Sequence, residues 1–252
     1  MSGTKLGVQL YSVRQDMETD MPGTLKKLAD IGFKAVEFYG EASFTTQEIV
    51  NALNENNLEI CGYHTPWAFV QEGFLNAWIA YCKAIGNKYV VIPGLPEECS
   101  NSISAWRETA KAFNCIAGKL AKEGMRLGYH NHSAEFMPME GQIPWDAFYE
   151  AALPEIIAQF DIGNSLSGTG IDAMKYHEKY INRGATIHAK AFAADGRNAA
   201  IGEDDLDWVK YVNTVKEAGV TDYCIVEYEH VCDDLYDKLK ICYNTLNKLF
   251  LS

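Results

Sequence analysis

The 252-residue sequence predicts a single (β/α)8 TIM barrel with its active site at the C-terminal ends of the strands. Three observations support this. Short β-rich runs and longer amphipathic stretches alternate about eight times along the chain. Several runs, such as Tyr89-Val90-Val91-Ile92 and Cys224-Ile225-Val226, are continuously apolar, as in parallel strands covered on both faces. The main alternative is a doubly wound open sheet. Its first βα turn should carry a glycine-rich phosphate loop, and Leu10-Tyr11-Ser12-Val13-Arg14 has none. No linker or low-complexity stretch divides the chain, so one barrel domain over residues 1–252 is expected.

The expected strands are Leu6–Leu10, Ala35–Phe38, Glu59–Tyr63, Tyr89–Ile92, Arg126–His130, Ile157–Asp161, Thr186–Ala189 and Tyr223–Val226. Between them lie helix patterns with recognisable ends. Pro22 sits at an early helical position, and a stripe of Leu25, Leu28, Ala29 and Ile31 stops at Gly32. Thr45 or Thr46 can cap a helix carrying Ile49, Val50 and Leu53. Further helices are expected over Phe74–Ile85, Ser102–Lys122, Trp145–Ala151, Ile171–Tyr180, Leu206–Ala218 and Leu235–Leu249.

Composition narrows the function classes. The chain is 48% hydrophobic and 22% charged, as in ordinary globular proteins, and its formal charge is −12. That charge argues against a nucleic-acid surface, which needs Lys and Arg to neutralise phosphates. The polar start, Met1–Lys5, and the lack of a long apolar run predict neither a signal peptide nor a membrane span, hence a cytoplasmic protein. Seven scattered cysteines without a CxxC pair read as reduced, small apolar residues rather than a zinc-thiolate site.

The chemistry gathers at the predicted strand ends. Five of six histidines fall there, and His177 is left as a surface helix residue. The densest stretch is Arg126–Phe136. Strand alternation places His130 and His132 on one face, with Glu135 on the loop beyond. Other strands end in Gln9, Glu37, His64 (followed by Trp67), Asp161, His188 with Lys190, and Glu227 with Glu229. Each alone has a plain structural explanation: a cap, a core histidine, a surface charge. Together, strands 6 to 8 offer Asp, His and Glu in succession, and strand 5 adds a carboxylate or an imidazole. Such a set suits a divalent ion (Mn, Zn, Co, Fe or Mg).

These residues resemble the sugar phosphate isomerase/epimerase superfamily, the xylose isomerase-like barrels, nearly end to end. The resemblance rests on Gly7–Arg14, Gly32–Phe38, Tyr129-His130-Asn131-His132 with Glu135-Phe136, Asp161–Asn164, His188-Ala189-Lys190 and Val226-Glu227. The Tyr-His-Asn-His block is its most specific part. The resemblance implies one divalent cation, most often manganese, held by Glu135, Asp161, His188 and Glu227. It also implies proton abstraction next to a carbonyl, through an enediolate stabilised by the cation and by donors such as Lys190. Glu227 with His132, or else His130, would be the acid–base pair. Gln9, Glu37, His64, Trp67, Lys190 and Glu229 would contact the substrate. That substrate would be a small sugar or keto-sugar, unphosphorylated because no Arg/Lys cluster marks the strand ends. A homo-oligomer is compatible with the resemblance.

Relatives acting on free ketoses carry a Glu within strand 5, where this chain has Gly128, Tyr129 and His130. The family's usual Asp after the strand 7 His-x-Lys is Ala191 here. The first departure opens an alternative: a lyase or deglycosidase expelling the C1 substituent of a 3-keto-glycoside. Two other readings are a DNA-repair endonuclease, disfavoured by the charge, and a non-catalytic sugar-binding or partner subunit.

Overall fold

In a computed structural model, which describes residues 3–230 and 232–252, eight parallel strands form one sheet. They are β1 (Lys5–Gln9), β2 (Ala35–Tyr39), β3 (Glu59–His64), β4 (Tyr89–Ile92), β5 (Arg126–His130), β6 (Ile157–Gln159), β7 (Thr186–Lys190) and β8 (Tyr223–Glu227). The sheet order is β6-β5-β4-β3-β2-β1-β8-β7. Its two ends meet: Asp161 bridges to His188 in parallel, and the His188 N–H donates to the Phe160 carbonyl at 3.0 Å. The sheet is therefore a nearly closed (β/α)8 barrel, as expected. β6 is shorter than predicted because its pairing with β5 ends at Gln159, and the Asp161 side chain caps the next helix, its Oδ1 accepting from the Asn164 N–H at 2.7 Å.

The helices are α1 (Arg14–Thr19), α2 (Met21–Ile31), α3 (Thr46–Glu55), α4 (Leu75–Ile85), α5 (Ile103–Ala121), α6 (Pro144–Ala151), α7 (Ile162–Leu166), α8 (Ala173–Tyr180), α9 (Trp208–Ala218) and α10 (Leu235–Leu251). The short α1 and α7 were not legible as apolar stripes, being six and five residues long. Thr45 forms a reciprocal capping box with Glu48, and Ser102 caps α5 through the Ala105 N–H. None of the described helices is long and apolar enough to cross a membrane.

The core lies mainly between the strands and the helical ring, and is rich in aromatic rings around Trp145, Phe148, Tyr129 and Phe113. Inside the barrel, Ala35, Cys61 and Ile225 form a small separate cluster. His177 departs from its expected surface position. It is 1% exposed, with its ring stacked on Tyr211 at a centroid distance of 4.2 Å. α8 turns this face inward because Ala173, His177 and Tyr180 share one helical stripe.

Candidate active site

The strand ends deliver side chains to a common point because parallel strands of matched register finish at one level. His130 is the last residue of β5, His188 sits in β7, Glu227 ends β8, and Asp161 follows β6. One potential ligand atom from each of these four lies within 4.8 Å of every other. All four residues are buried. His188 Nδ1 is 3.0 Å from Glu227 Oε2 and 3.7 Å from Asp161 Oδ2. The second distance is too long for a hydrogen bond. Among the described residues, Asp161 Oδ2 and His130 Nδ1 have no hydrogen-bond partner, although both are buried. Two orphaned polar atoms within one cluster would be costly unless something else binds there. Two imidazoles and two carboxylates converging on one point are a suitable donor set for a divalent cation.

Glu135 stands apart from this group. It is on the single 3-10 turn Ala134–Phe136, and its carboxylate is occupied on both sides. The Tyr129 hydroxyl donates to Oε1 at 2.6 Å, and the His132 N–H donates to Oε2 at 2.9 Å. It pins the loop leaving β5. The strand ends at His130, so alternation stops there and His132 does not share its neighbour's burial. His132 is exposed, with its ring 5.2 Å from that of His130 at 81°.

Below the four-residue cluster lies a second polar layer. Glu37 Oε2 is 2.6 Å from His188 Nε2, 2.8 Å from Gln9 Nε2 and 3.2 Å from His64 Nε2. Gln159 donates from Nε2 to Glu37 Oε1 at 2.8 Å and to Thr186 Oγ1 at 3.0 Å. Its Oε1 lies 2.7 Å from His64 Nε2. Gln9 and Glu37 therefore sit beneath the open cavity and are absent from its lining. Trp67 is also outside that lining and stacks on Phe113 at 5.3 Å. The cavity itself has a volume of about 460 Å³. His64, His130, His132, Glu227 and Glu229 line its polar side, and Tyr11 and Tyr39 pack edge to face beside them. Lys190 reaches Glu229 as an ion pair at the rim.

The electrostatics follow from burial and pairing. Burial and the neighbouring imidazoles of His188, His64 and His132 push His130 well below its ordinary pKa, so its ring is neutral. Burial also lowers His64. His188 goes the other way: burial pulls it down, but the carboxylates of Glu37, Asp161 and Glu227 around its ring raise it well above the ordinary value. Burial would raise Glu227, yet Lys190 and His188 hold it below the carboxylate range. Lys190 loses charge stability to burial and regains more from Glu227, Asp161 and Glu229, so it stays a cation.

Sequence reasoning singled out no role for Gln159, Asn131 or Asn164. Asn131 Oδ1 accepts from the Asp161 N–H at 2.8 Å, and its Nδ2 donates to the Asp161 carbonyl at 3.0 Å, fixing that residue. Gln159 had a signal: it is the polar residue two before Asp161 in an apolar run, hence on the same strand face.

A barrel whose strand ends assemble a four-residue His/Asp/Glu cluster beside an open cavity defines a class of site. The chain belongs to the xylose isomerase-like TIM barrel family, whose model matches residues 25–241. A search of curated proteins finds no match. Among solved structures, a sugar phosphate isomerase/epimerase from Parabacteroides distasonis is similar at 21% identity, with a TM-score of 0.81 over 99% of this chain and 96% of that one. An L-ribulose 3-epimerase is similar at 14% identity and a TM-score of 0.74, over 98% and 95%. An AP endonuclease of family 2 from Brucella melitensis is similar at 17% identity and 0.71, over 94% and 97%. At such identities the likeness is one of fold.

Proposed function

We propose that the protein is a divalent-cation-dependent isomerase or epimerase of small, unphosphorylated sugars, acting by proton transfer at a carbon next to a carbonyl. The observation that carries this is the convergence of His130, Asp161, His188 and Glu227, with two of their buried polar atoms unpartnered, against a cavity of sugar size. These four residues would hold the cation, with His130 in the place expected of Glu135. A bound cation supplies Lewis acidity and a template for the carbonyl and its neighbouring hydroxyl. Manganese suits the carboxylates and zinc the imidazoles.

The chain's own groups do the rest. His132, exposed at the cavity wall, and Glu227, which also lines the cavity, would be the acid–base pair. A positioned base of this kind contributes about 10²–10⁴-fold. Lys190, held as a cation, supports negative charge developing on oxygen. His64 and Glu229 line the space for the sugar, and the aromatic edge of Tyr11 and Tyr39 excludes water from one side. Among the described residues, the cavity lining has no Arg or Lys cluster for a phosphate. The likeness in fold to an L-ribulose 3-epimerase supports this reading, and a net charge of −12 speaks against a nucleic-acid substrate.

The test joins metal analysis of the purified protein with solvent deuterium exchange into keto-sugars. Stoichiometric divalent metal and exchange that collapses in Glu227→Gln are expected. Protein that takes up no cation, or exchange undiminished in the variant, would sink the reading.

A second reading, elimination from a 3-keto-glycoside, is favoured by one observation. A further cavity of about 310 Å³ shares Tyr39 and Gly40 with the first and is walled by Phe38, Phe44 and Tyr63. It offers room for a C1 substituent. Proton loss at C2 would then break the C1–O bond and release an alcohol, which a chromogenic 3-keto-glycoside detects.

A further inference from the structure

Glu37 lacks a role in the reading above, yet it is as fully enclosed as the Asp161 carboxylate of the site itself. It is 0% exposed, as are Gln9, Gln159, Thr186 and His188 around it. Contact with a sugar does not explain it, because the cavity lining includes neither Glu37 nor its two amide partners. A buried carboxylate is expensive unless every lone pair is used. Here four donors from four other strands converge on it: Gln9 Nε2, His64 Nε2, Gln159 Nε2 and His188 Nε2. β3 makes room with Gly62, which stands opposite Glu37 in the register and has no Cβ to displace the carboxylate.

His64 Nε2 faces two acceptors, Gln159 Oε1 and Glu37 Oε2, so that nitrogen carries the hydrogen. The same argument applies to His188. Its Nε2 faces a carboxylate at 2.6 Å, where only an N–H fits. That leaves Nδ1, 3.0 Å from Glu227 Oε2 and 3.7 Å from Asp161 Oδ2, as the nitrogen whose proton a cation would displace. His130 has no comparable support: its Nδ1 is unpartnered and its Nε2 lies 3.4 Å from the Asn164 amide.

We propose that Glu37 is a positioning residue for the cation site. It fixes the tautomer and rotation of His188 so that Nδ1 is presented to the ion, while Gln9, Gln159 and His64 hold Glu37 in place. The inference rests on the cation reading of the four-residue cluster. Carboxylates behind metal-binding imidazoles raise the ligand's basicity and set its direction.

The test uses Zn²⁺ on metal-stripped full-length protein. Titration calorimetry should show the Glu37→Gln variant binding Zn²⁺ about 10- to 100-fold more weakly than wild type. Long-range ¹H–¹⁵N correlation spectra of the Zn²⁺-loaded wild type should show His188 with its proton on Nε2 and its metal on Nδ1. A merely structural Glu37 would lower the melting temperature of the stripped variant and leave its Zn²⁺ affinity within about twofold of wild type. That result, or a proton on His188 Nδ1, overturns the proposal and leaves the cation reading standing. Wild type that takes up no Zn²⁺, Mn²⁺ or Mg²⁺ overturns both. Should Glu37→Gln fail to fold, the wild-type spectrum alone decides.

Discussion

Replacing Gly62 by alanine puts a methyl carbon where the Glu37 carboxylate sits. A Cβ built at residue 62 lies 2.4 Å from Glu37 Oε1, 3.3 Å from its Cδ and 3.4 Å from its Cγ. Ordinary contact is near 3.5 Å, so something must retreat by about 1 Å. The carboxylate is poorly able to do so, since it is fully buried and engaged on both oxygens. The first bond to suffer is the 2.8 Å one from Gln159 to Oε1. Overpacking costs about 1–3 kcal/mol and a lost hydrogen bond to a charged group about 1.5–3 kcal/mol, so a loss of roughly 3–5 kcal/mol is expected. For a chain of this size that is a fall of roughly 10 °C in melting temperature. Equilibrium urea unfolding and calorimetry on metal-stripped wild type and Gly62→Ala measure it. Gly62 does not have the positive φ that alanine would resist, so backbone strain is not a confounding cause. Gly118→Ala is the contrast: it lies inside α5 with nothing within 4 Å of the new Cβ, and should gain about 0.5–1 kcal/mol. A Gly62→Ala loss below about 1 kcal/mol would refute the tightly held carboxylate.

Other predictions concern the cation, the β5 loop and acid stability. Zn²⁺ at a hundred times its Kd should stabilise wild type by about 2.7 kcal/mol in a thermal-shift assay, and Asp161→Ala should show no such shift. Glu135→Gln should lower Zn²⁺ affinity by less than about tenfold while destabilising the stripped protein, because the residue pins Tyr129 and His132 rather than an ion. A larger drop in affinity would restore Glu135 to the ligand set. Burial lowers His177 to about 4 in the fold, against an ordinary value near 6.5. The unfolded chain therefore binds more protons between those limits. His177's contribution is fully present above about pH 6.5 and fades as the pH falls toward about 4, by roughly 3 kcal/mol. Urea unfolding at pH 7 and pH 4.5 should show a smaller acid loss in His177→Phe than in wild type; equal losses would count against the argument.

Much of the barrel was legible in the chain. Continuous apolar runs and capped amphipathic stretches are local patterns, and they placed eight strands within one or two residues of where they lie. The strand-end rule likewise brought Asp161, His188 and Glu227 to one mouth. What failed was local geometry beyond a strand's end. Alternation paired His130 with His132, yet the strand stops at His130 and the next turn carries Glu135 back onto Tyr129. His177 was misread because its helix pattern does not say which face meets Tyr211.

The sequence by itself determined the periodicities, the caps and the residue types available at each strand end, since these depend on neighbours a few positions apart. Only the closed barrel decided which polar atoms meet. Glu37 and His188 are 151 positions apart and 2.6 Å from each other, because β1 and β8 lie between their strands and the sheet curls back on itself. That closure turns Glu37 away from the open cavity and toward the imidazole it holds.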